Sequence, residues 1–167
     1  MAGAPTVLVL TVSDRGAAGD REDVTGAALA DRLGALGFAV ERGIVPDEQA
    51  LIEAALVDGA ARHPLVVTAG GTGLTPRDVT PQATLAVIDY EVPGFAEAMR
   101  ADGRAATPMA ILSRAVVGVR GRSLVVNLPG SPRGAVQSLA SLEPVLGHAL
   151  ETLGGPFDHD GRPAPGA

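Results

Sequence analysis

The chain is expected to fold as an α/β domain with three layers, a mostly parallel mixed sheet carrying helices on both faces. Three observations lead there. Thr6-Val7-Leu8-Val9-Leu10-Thr11-Val12 and Leu65-Val66-Val67-Thr68 are near-continuous β-branched and leucine runs, the pattern of central parallel strands covered on both sides. Strand-like runs alternate with helical periodicity through the first half, as right-handed crossovers between parallel strands require. At 167 residues and 46% hydrophobic content the chain suffices for one real core, and with only Phe38, Tyr90, Phe95 and Phe157 as aromatics that core must be aliphatic.

Residues 6–12 form the first strand. Ser13-Asp14-Arg15 then leads through a Gly- and Asp-rich loop to residues 24–36, where Ala28, Leu29, Leu33 and Leu36 recur at helical spacing and Gly37 supplies a left-handed cap. Residues 39–45 make a second strand. Pro46-Asp47-Glu48 opens a second helix that runs through Leu51, Ile52, Ala55 and Leu56 toward His63. The third strand, residues 65–68, feeds Gly70-Gly71-Thr72-Gly73. Thr80 is expected to cap a helix beginning at Pro81, because its hydroxyl can satisfy an orphan N–H and proline tolerates the first helical position. Residues 81–88 and 94–102 read as helices. Residues 113–119 and 123–127 flank Arg120-Gly121-Arg122 as a hairpin, which makes the sheet mixed. Leu128-Pro129-Gly130-Ser131-Pro132-Arg133 is a second strand-to-helix turn, and it opens a helical stretch over about residues 134–153 that Pro144 should kink or split. One domain over residues 6–153 results, with an N-terminal tail over 1–5 and a flexible Gly/Pro-rich tail over 154–167.

A net charge of −6 disfavours a nucleic-acid-binding surface, which needs a basic field. All thirteen basic residues are arginine, so an arginine here signals phosphate recognition less strongly than usual. The absence of cysteine removes disulfides, thiolate metal sites and cysteine nucleophiles together. The apolar run at residues 7–12 is too short for a signal sequence or a membrane span, and a cytoplasmic protein that does not engage membranes is expected. His63, His148 and His159 have neither metal-ligand spacing nor a Ser-His-Asp arrangement.

Ligands of open α/β sheets sit beyond the carboxyl ends of the strands, and four segments converge there. They are Ser13-Asp14-Arg15, Asp47, the stretch from Gly70 to Asp78, and Pro129-Gly130-Ser131. Gly70, Gly71 and Gly73 let the backbone turn tightly and present N–H groups to phosphate oxygens, although the spacing is neither a P-loop nor a dinucleotide fingerprint. Replacing Gly71 by Val is expected to harm ligand binding more than folding. With two glycine-bearing turns and carboxylates at Asp14, Asp47 and Asp78, the rim has what an Mg²⁺-nucleotide site needs. Asp47 also stands where a helix N-cap is wanted, and the two roles are compatible. Arg77 is placed to pair with Asp78, and Asp14 reads equally as an Asx-turn or a site residue. Ser131 reads equally as a helix cap or a ligand contact.

Taken in order, Thr11-Val12-Ser13-Asp14, Val45-Pro46-Asp47, Gly70-Gly71-Thr72-Gly73 with Arg77-Asp78-Val79-Thr80-Pro81, Val92-Pro93-Gly94-Phe95, Leu112-Ser113-Arg114-Ala115 and Leu128-Pro129-Gly130-Ser131-Pro132 resemble the MogA/MoaB family of molybdenum-cofactor biosynthesis proteins. The resemblance implies the molybdopterin-binding α/β fold. For MogA-like members it implies an Mg²⁺-dependent adenylyltransferase that joins ATP to molybdopterin and releases pyrophosphate; MoaB-like members share the fold, and a non-catalytic binding protein for molybdopterin or a precursor is the alternative. Carried over, Asp47 and Asp78 are the carboxylates associated with catalysis and with Mg²⁺. Ser13, Asp14, Gly70, Gly71, Thr72, Gly73, Thr80, Pro129, Gly130 and Ser131 surround the substrates. A homotrimer is expected, with a hexamer as alternative, since apolar positions between Val92 and Ala115 exceed what one core covers. A molybdenum insertase is an implied partner; insertases contain a similar domain but need further domains, for which this chain is too short.

Overall fold

Successive side chains of a strand point to opposite faces, so a strand apolar at every position must be covered on both. That is the arrangement in the computed structural model, which describes residues 3–155. In chain order the elements are β1 (Thr6–Val12), α1 (Asp14–Ala17), α2 (Val24–Ala35), β2 (Ala39–Val45), α3 (Gln49–Arg62), β3 (Leu65–Ala69), α4 (Thr80–Val87), β4 (Tyr90–Glu91), α5 (Pro93–Ala106), a 3₁₀ helix (Pro108–Leu112), β5 (Val117–Arg120), β6 (Ser123–Leu128) and α6 (Pro132–Gly154). The sheet order is β2-β1-β3-β6-β5-β4. β2, β1, β3 and β6 are parallel, while β5 and β4 add antiparallel pairs at one side.

The two faces carry separate aliphatic cores. Val7 and Val9 of β1, Leu65 and Val67 of β3, and Leu124, Val126 and Leu128 of β6 pack against Leu29 and Leu33 of α2, Met99 of α5, and Leu139 and Leu142 of α6. The alternate residues Leu8, Leu10, Val66 and Val125 meet Ile52 and Leu56 of α3 and Ala83 and Val87 of α4. Full burial of one such side chain stabilises by about 1.5–3 kcal/mol, so the double cover, not any polar contact, sets the sheet's place. β2 lies at an edge and carries Glu41 and Arg42 in solvent, charges that discourage pairing with a further strand.

Because β1, β2, β3 and β6 run parallel, Val12, Val45, Ala69 and Leu128 all end on the same side of the sheet. The chain just beyond them is stitched across the strand ends. Ser13 N–H donates to Val45 C=O at 2.9 Å, and Gly70 N–H to Leu128 C=O at 3.1 Å. The four loops named from the sequence therefore share one rim.

Several boundaries differ from the sequence reading, each for a local reason. The strand expected over 113–119 begins only at Val117, because the preceding backbone is used elsewhere: Arg114 N–H donates to Thr72 C=O, and Val116 N–H donates to the side chain of Asn127. The short β4 and the 3₁₀ helix carry too little periodicity to be read, although Thr107 caps the latter by accepting from Met109 N–H. Pro144 does not split α6. It is exposed, as is Ala140, whose carbonyl loses its partner and can turn to water. α6 continues through Gly154, one residue into the expected tail; residues 156–167, like Met1 and Ala2, lie outside the described residues. His63 meets Glu41 Oε2 of β2 at 3.1 Å through Nε2.

Asn127 is a fully buried polar side chain near the end of β6, and both its amide hydrogens and its oxygen are engaged. Its Nδ2 donates to Thr68 Oγ1 at 3.1 Å and Thr84 Oγ1 at 2.9 Å, and its Oδ1 accepts from Val116 N–H at 3.1 Å. Asn127→Leu keeps the bulk but strands three buried polar groups, and the expected loss is about 3 kcal/mol by urea denaturation. A loss under about 1 kcal/mol would show that these groups find other partners.

Candidate functional site

The rim begins with two aspartates that hold each other's backbone. Asp47 N–H donates to Asp14 Oδ1 at 2.9 Å, and Asp14 N–H donates to Asp47 Oδ2 at 2.9 Å. Ser13 precedes this clasp and caps α1 by accepting from Gly16 N–H at 3.0 Å. The N-cap reading of Asp47 is not what the structure shows. α3 starts at Gln49 behind Glu48, and Asp47 spends one oxygen on the loop after β1. The Asx-turn reading of Asp14 also fails, since its carboxylate reaches across to the loop after β2.

Arg77 completes this corner. Its guanidinium donates Nε to Asp14 Oδ2 at 3.0 Å and Nη2 to Asp14 Oδ1 at 2.8 Å, so it pairs with Asp14 and not with its neighbour Asp78. The Arg77 hydrogen bonds, followed by the Asp47 N–H, hold the Asp14 carboxyl below the usual aspartate range. Asp47 moves the other way. Half-burial pushes its carboxyl up, and the nearby charges of Asp14 and Asp78 add to the rise against the Asp14 N–H and Arg77.

Asp78 is fixed from its own loop. Its Oδ2 accepts from Thr75 N–H at 2.8 Å and from the Thr75 hydroxyl at 2.7 Å. Burial alone would raise this carboxyl; the Thr75 bonds, the Gly73 N–H and the charge of Arg114 outweigh it and hold the group low. Asp47 Oδ1 and Asp78 Oδ1 are left without a side-chain or backbone hydrogen bond among the described residues.

Between these carboxylates runs the glycine loop. Gly70 has φ +105°, and a Cβ there would lie 2.4 Å from Val12 C=O. Gly71 has φ +67°, and its Cβ would fall 2.2 Å from Thr80 Oγ1 and 3.3 Å from Asp47 Oδ1. Thr80 does not cap a helix as expected; buried behind the loop, its hydroxyl donates to Gly70 C=O at 2.9 Å, and α4 begins at Thr80 itself. The glycine at 71 thus admits the protein's own threonine. A side chain there therefore strains the fold directly, where Gly71→Val was expected to harm binding more than folding.

Two cavities flank the loop. One of about 450 Å³ is lined by Ser13, Asp47, Gly70, Gly71, Gly130 and Ser131, among others, with Asp23, Val24 and Thr25 at the start of α2. Ser131 caps α6 there by accepting from Gly134 N–H at 3.2 Å, and Asp23 caps α2 by accepting from Gly26 N–H at 2.8 Å. Two helix N-termini therefore add their positive ends to the loop's N–H groups, a setting for phosphate oxygens. The other cavity, about 280 Å³, lies beyond Thr72 and Gly73 with Met99, Met109 and Leu112 on its wall; Pro129 and Ser131 line it too. Of the residues singled out from the sequence, Asp14 and Asp78 flank these cavities and Thr80 lies beneath them.

Arg114 and Thr25 were given no role in the sequence reading. Arg114 sits half-buried and donates to Gly73 C=O and Asp78 C=O, and Thr25 donates to Gly130 C=O at 2.7 Å. Each acts on a backbone carbonyl far away in sequence, which no local motif announces.

No group of three or more His, Cys, Asp or Glu among the described residues could hold a metal ion. The free oxygens of Asp47 and Asp78 nonetheless fit Mg²⁺, which keeps several waters and takes one or two carboxylates alongside substrate phosphates. No helix among the described residues is long and apolar enough to cross a membrane.

Gly71→Ala should destabilise the protein by about 2 kcal/mol, from a positive φ and a Cβ placed on a buried hydroxyl. Gly73 has no positive φ and its Cβ would meet only Asp78 Oδ2, at 3.0 Å, so Gly73→Ala should cost under about 1 kcal/mol. Equal denaturation midpoints for the two variants would refute this account of the loop.

Comparison with known proteins agrees with this geometry. The family described as "Probable molybdopterin binding domain" matches residues 8–148. The molybdopterin adenylyltransferase of Escherichia coli K12 is 42% identical over 148 residues, 85% of this chain and 75% of the relative. That of Helicobacter pylori J99 is 39% identical over 156 residues, 89% and 88% of the two chains. The crystal structure of the molybdopterin biosynthesis enzyme MoaB from Thermus thermophilus superposes with a TM-score of 0.84 at 50% identity, covering 92% of this chain and 99% of that one. The chain belongs to the molybdopterin-binding domain family that includes the MogA and MoaB proteins.

Proposed function

We propose that this protein is a molybdopterin adenylyltransferase of molybdenum-cofactor biosynthesis, using ATP with Mg²⁺ and releasing pyrophosphate. The observation that carries this reading is the pair of unengaged carboxylate oxygens, Asp47 Oδ1 beside Gly71 and Asp78 Oδ1 near Gly73, on either side of the glycine loop. The relatives named for this activity support it at 39–42% identity.

In this reading an oxygen of molybdopterin's terminal phosphate attacks the α-phosphorus of ATP. The new P–O bond forms as the bond from the α-phosphorus to its bridging oxygen breaks, and pyrophosphate leaves with that electron pair. When bound, Mg²⁺ supplies positive charge that offsets the phosphates and the departing pyrophosphate. Asp47 and Asp78 hold it. The backbone of Gly70, Gly71, Thr72 and Gly73 and the starts of α2 and α6 bind phosphate oxygens, while Ser13, Pro129, Gly130 and Ser131 bound the substrates. Arg77 keeps Asp14 neutralised, so that a third unpaired carboxylate does not repel the incoming triphosphate. We further propose a cytoplasmic homotrimer, or a hexamer: Leu74, Met109, Ile111 and Leu112 leave an exposed apolar face next to the smaller cavity.

The family resemblance leaves a second reading, a MoaB-like protein that binds molybdopterin or a precursor without chemistry. Pyrophosphate release separates the two. The first predicts release that needs both molybdopterin and Mg²⁺; the second predicts molybdopterin binding with none.

Asp47→Asn keeps an oxygen to accept from Asp14 N–H while removing a charge that burial disfavours. A carboxyl raised in the fold detracts from stability once the pH exceeds its unfolded value. The variant should therefore unfold at the same temperature or higher at pH 7, yet release pyrophosphate about 100- to 1,000-fold more slowly. Asp78→Asn should lose a similar factor in rate and also some stability, because its lowered carboxyl contributes to the fold above the unfolded value and loses that contribution as the pH falls below it. Near-normal release from both variants would remove the catalytic role assigned to them. Light scattering at micromolar concentration checks the assembly, and the mass of a single chain would refute it.

A further inference from the structure

We infer that Arg114 is a positioning residue for adenylyl transfer, the strap that holds the Asp78 loop against the wall of the smaller cavity. Its guanidinium donates Nε to Gly73 C=O at 2.7 Å, Nη2 to Asp78 C=O at 2.6 Å and Nη1 to Gln82 Oε1 at 3.3 Å. Its own N–H donates to Thr72 C=O at 3.0 Å. One residue thus fixes both ends of the segment from Thr72 to Asp78. The other tie closes the loop from just outside it, Thr80 N–H donating to Gly71 C=O at 3.1 Å. Inside the segment the bonds are those between Thr75 and Asp78, which shape the turn without anchoring it, and Leu74, Thr75, Pro76 and Arg77 are all exposed. Arg77 reaches Asp14 only through an exposed side chain.

Arg114 is itself held. Arg100 of α5 donates Nη1 to Ala115 C=O at 3.2 Å and Ser113 C=O at 3.4 Å, so the residues on either side of Arg114 are tied to a helix packed in the core. Ser113 and Ala115 line the smaller cavity, as do Thr72 and Gly73. The strap therefore joins that wall to the backbone of Asp78. A planar guanidinium serves two carbonyls and an amide oxygen at once from one rigid fork; a lysine ammonium at the end of a flexible stem does not.

This inference rests on the proposed activity, and its test separates the two. Pyrophosphate release and hydrogen–deuterium exchange are measured on the full-length protein, on Arg114→Lys, and on Gln82→Ala, which removes only the longest contact. Arg114→Lys should lower kcat about 10- to 100-fold, since a displacement near 1 Å suffices for that, with KM for ATP and molybdopterin within about threefold of the unaltered protein. Amides over residues 72–80 should exchange at least about tenfold faster while those of β1, β3 and β6 keep their protection. Gln82→Ala should match the unaltered protein in both. An unchanged kcat overturns the inference, as does a slowed reaction without faster loop exchange, or faster exchange spread uniformly through the sheet. If the unaltered protein releases no pyrophosphate, the adenylyl-transfer reading fails alone, and unchanged exchange in Arg114→Lys would still overturn the strap.

Discussion

The reciprocal bonds between Asp14 and Asp47 are the constraint on which the rest of the site depends. Each backbone N–H donates to the other residue's carboxylate at 2.9 Å, closing a ring between the loops that follow β1 and β2. Parallel strands bring these loops near each other, but past Val12 and Val45 the only backbone–backbone bond between them is that of Ser13 N–H to Val45 C=O among the described residues. The clasp fixes them. It consumes Asp47 Oδ2 and leaves Oδ1 beside Gly71, so the direction of the remaining lone pairs is set before any ligand arrives. Preorganisation of this kind avoids reorienting a carboxylate during the reaction.

Stability is given up for that arrangement. Asp47 sits half-buried between two other aspartates, with its carboxyl raised, while Arg77 satisfies Asp14 and only partly offsets the charge at Asp47. The glycine loop shows a related compromise. Gly70 and Gly71 adopt positive φ so that the backbone can pass under Val12 C=O and over the Thr80 hydroxyl. Asp23, by contrast, contributes to stability: burial would raise its carboxyl, but Gly26 N–H, Arg42 and Thr11 together hold it low. That contribution is present above the usual aspartate value and is lost as the pH falls through the lowered one. Asp23 at the start of α2 and Asp47 just past β2 thus shift in opposite directions.

Much of this was legible in the sequence, for identifiable reasons. β1 and β3 announced themselves because double burial leaves few polar positions, β6 was read as one arm of a hairpin, and the four loops followed from the parallel order. Asp47 and Asp78 were legible as carboxylates just past strand ends. Their partners were not. Pairing of Arg77 with Asp14 rather than Asp78 spans 63 positions, and the clasp spans 33. Sequence proximity suggested local roles for Asp14, Asp47 and Thr80, an Asx-turn and two helix caps, and in each case tertiary contacts took the polar group instead. Ser131 went the other way: the cap proved real, and the residue also lines both cavities. Arg114 lay in a motif that carried the resemblance, yet it and Thr25 act on distant carbonyls, which local sequence does not show.

The account holds that the carboxylates and loop are arranged for attack at the α-phosphorus, and the fate of labelled ATP tests this most directly. With molybdopterin, Mg²⁺ and ATP labelled at the α-phosphate, the label should appear in an adenylylated molybdopterin in step with pyrophosphate. Label that stays in unreacted ATP while molybdopterin is demonstrably bound, or that leaves as free AMP or ADP without joining the pterin, would contradict it.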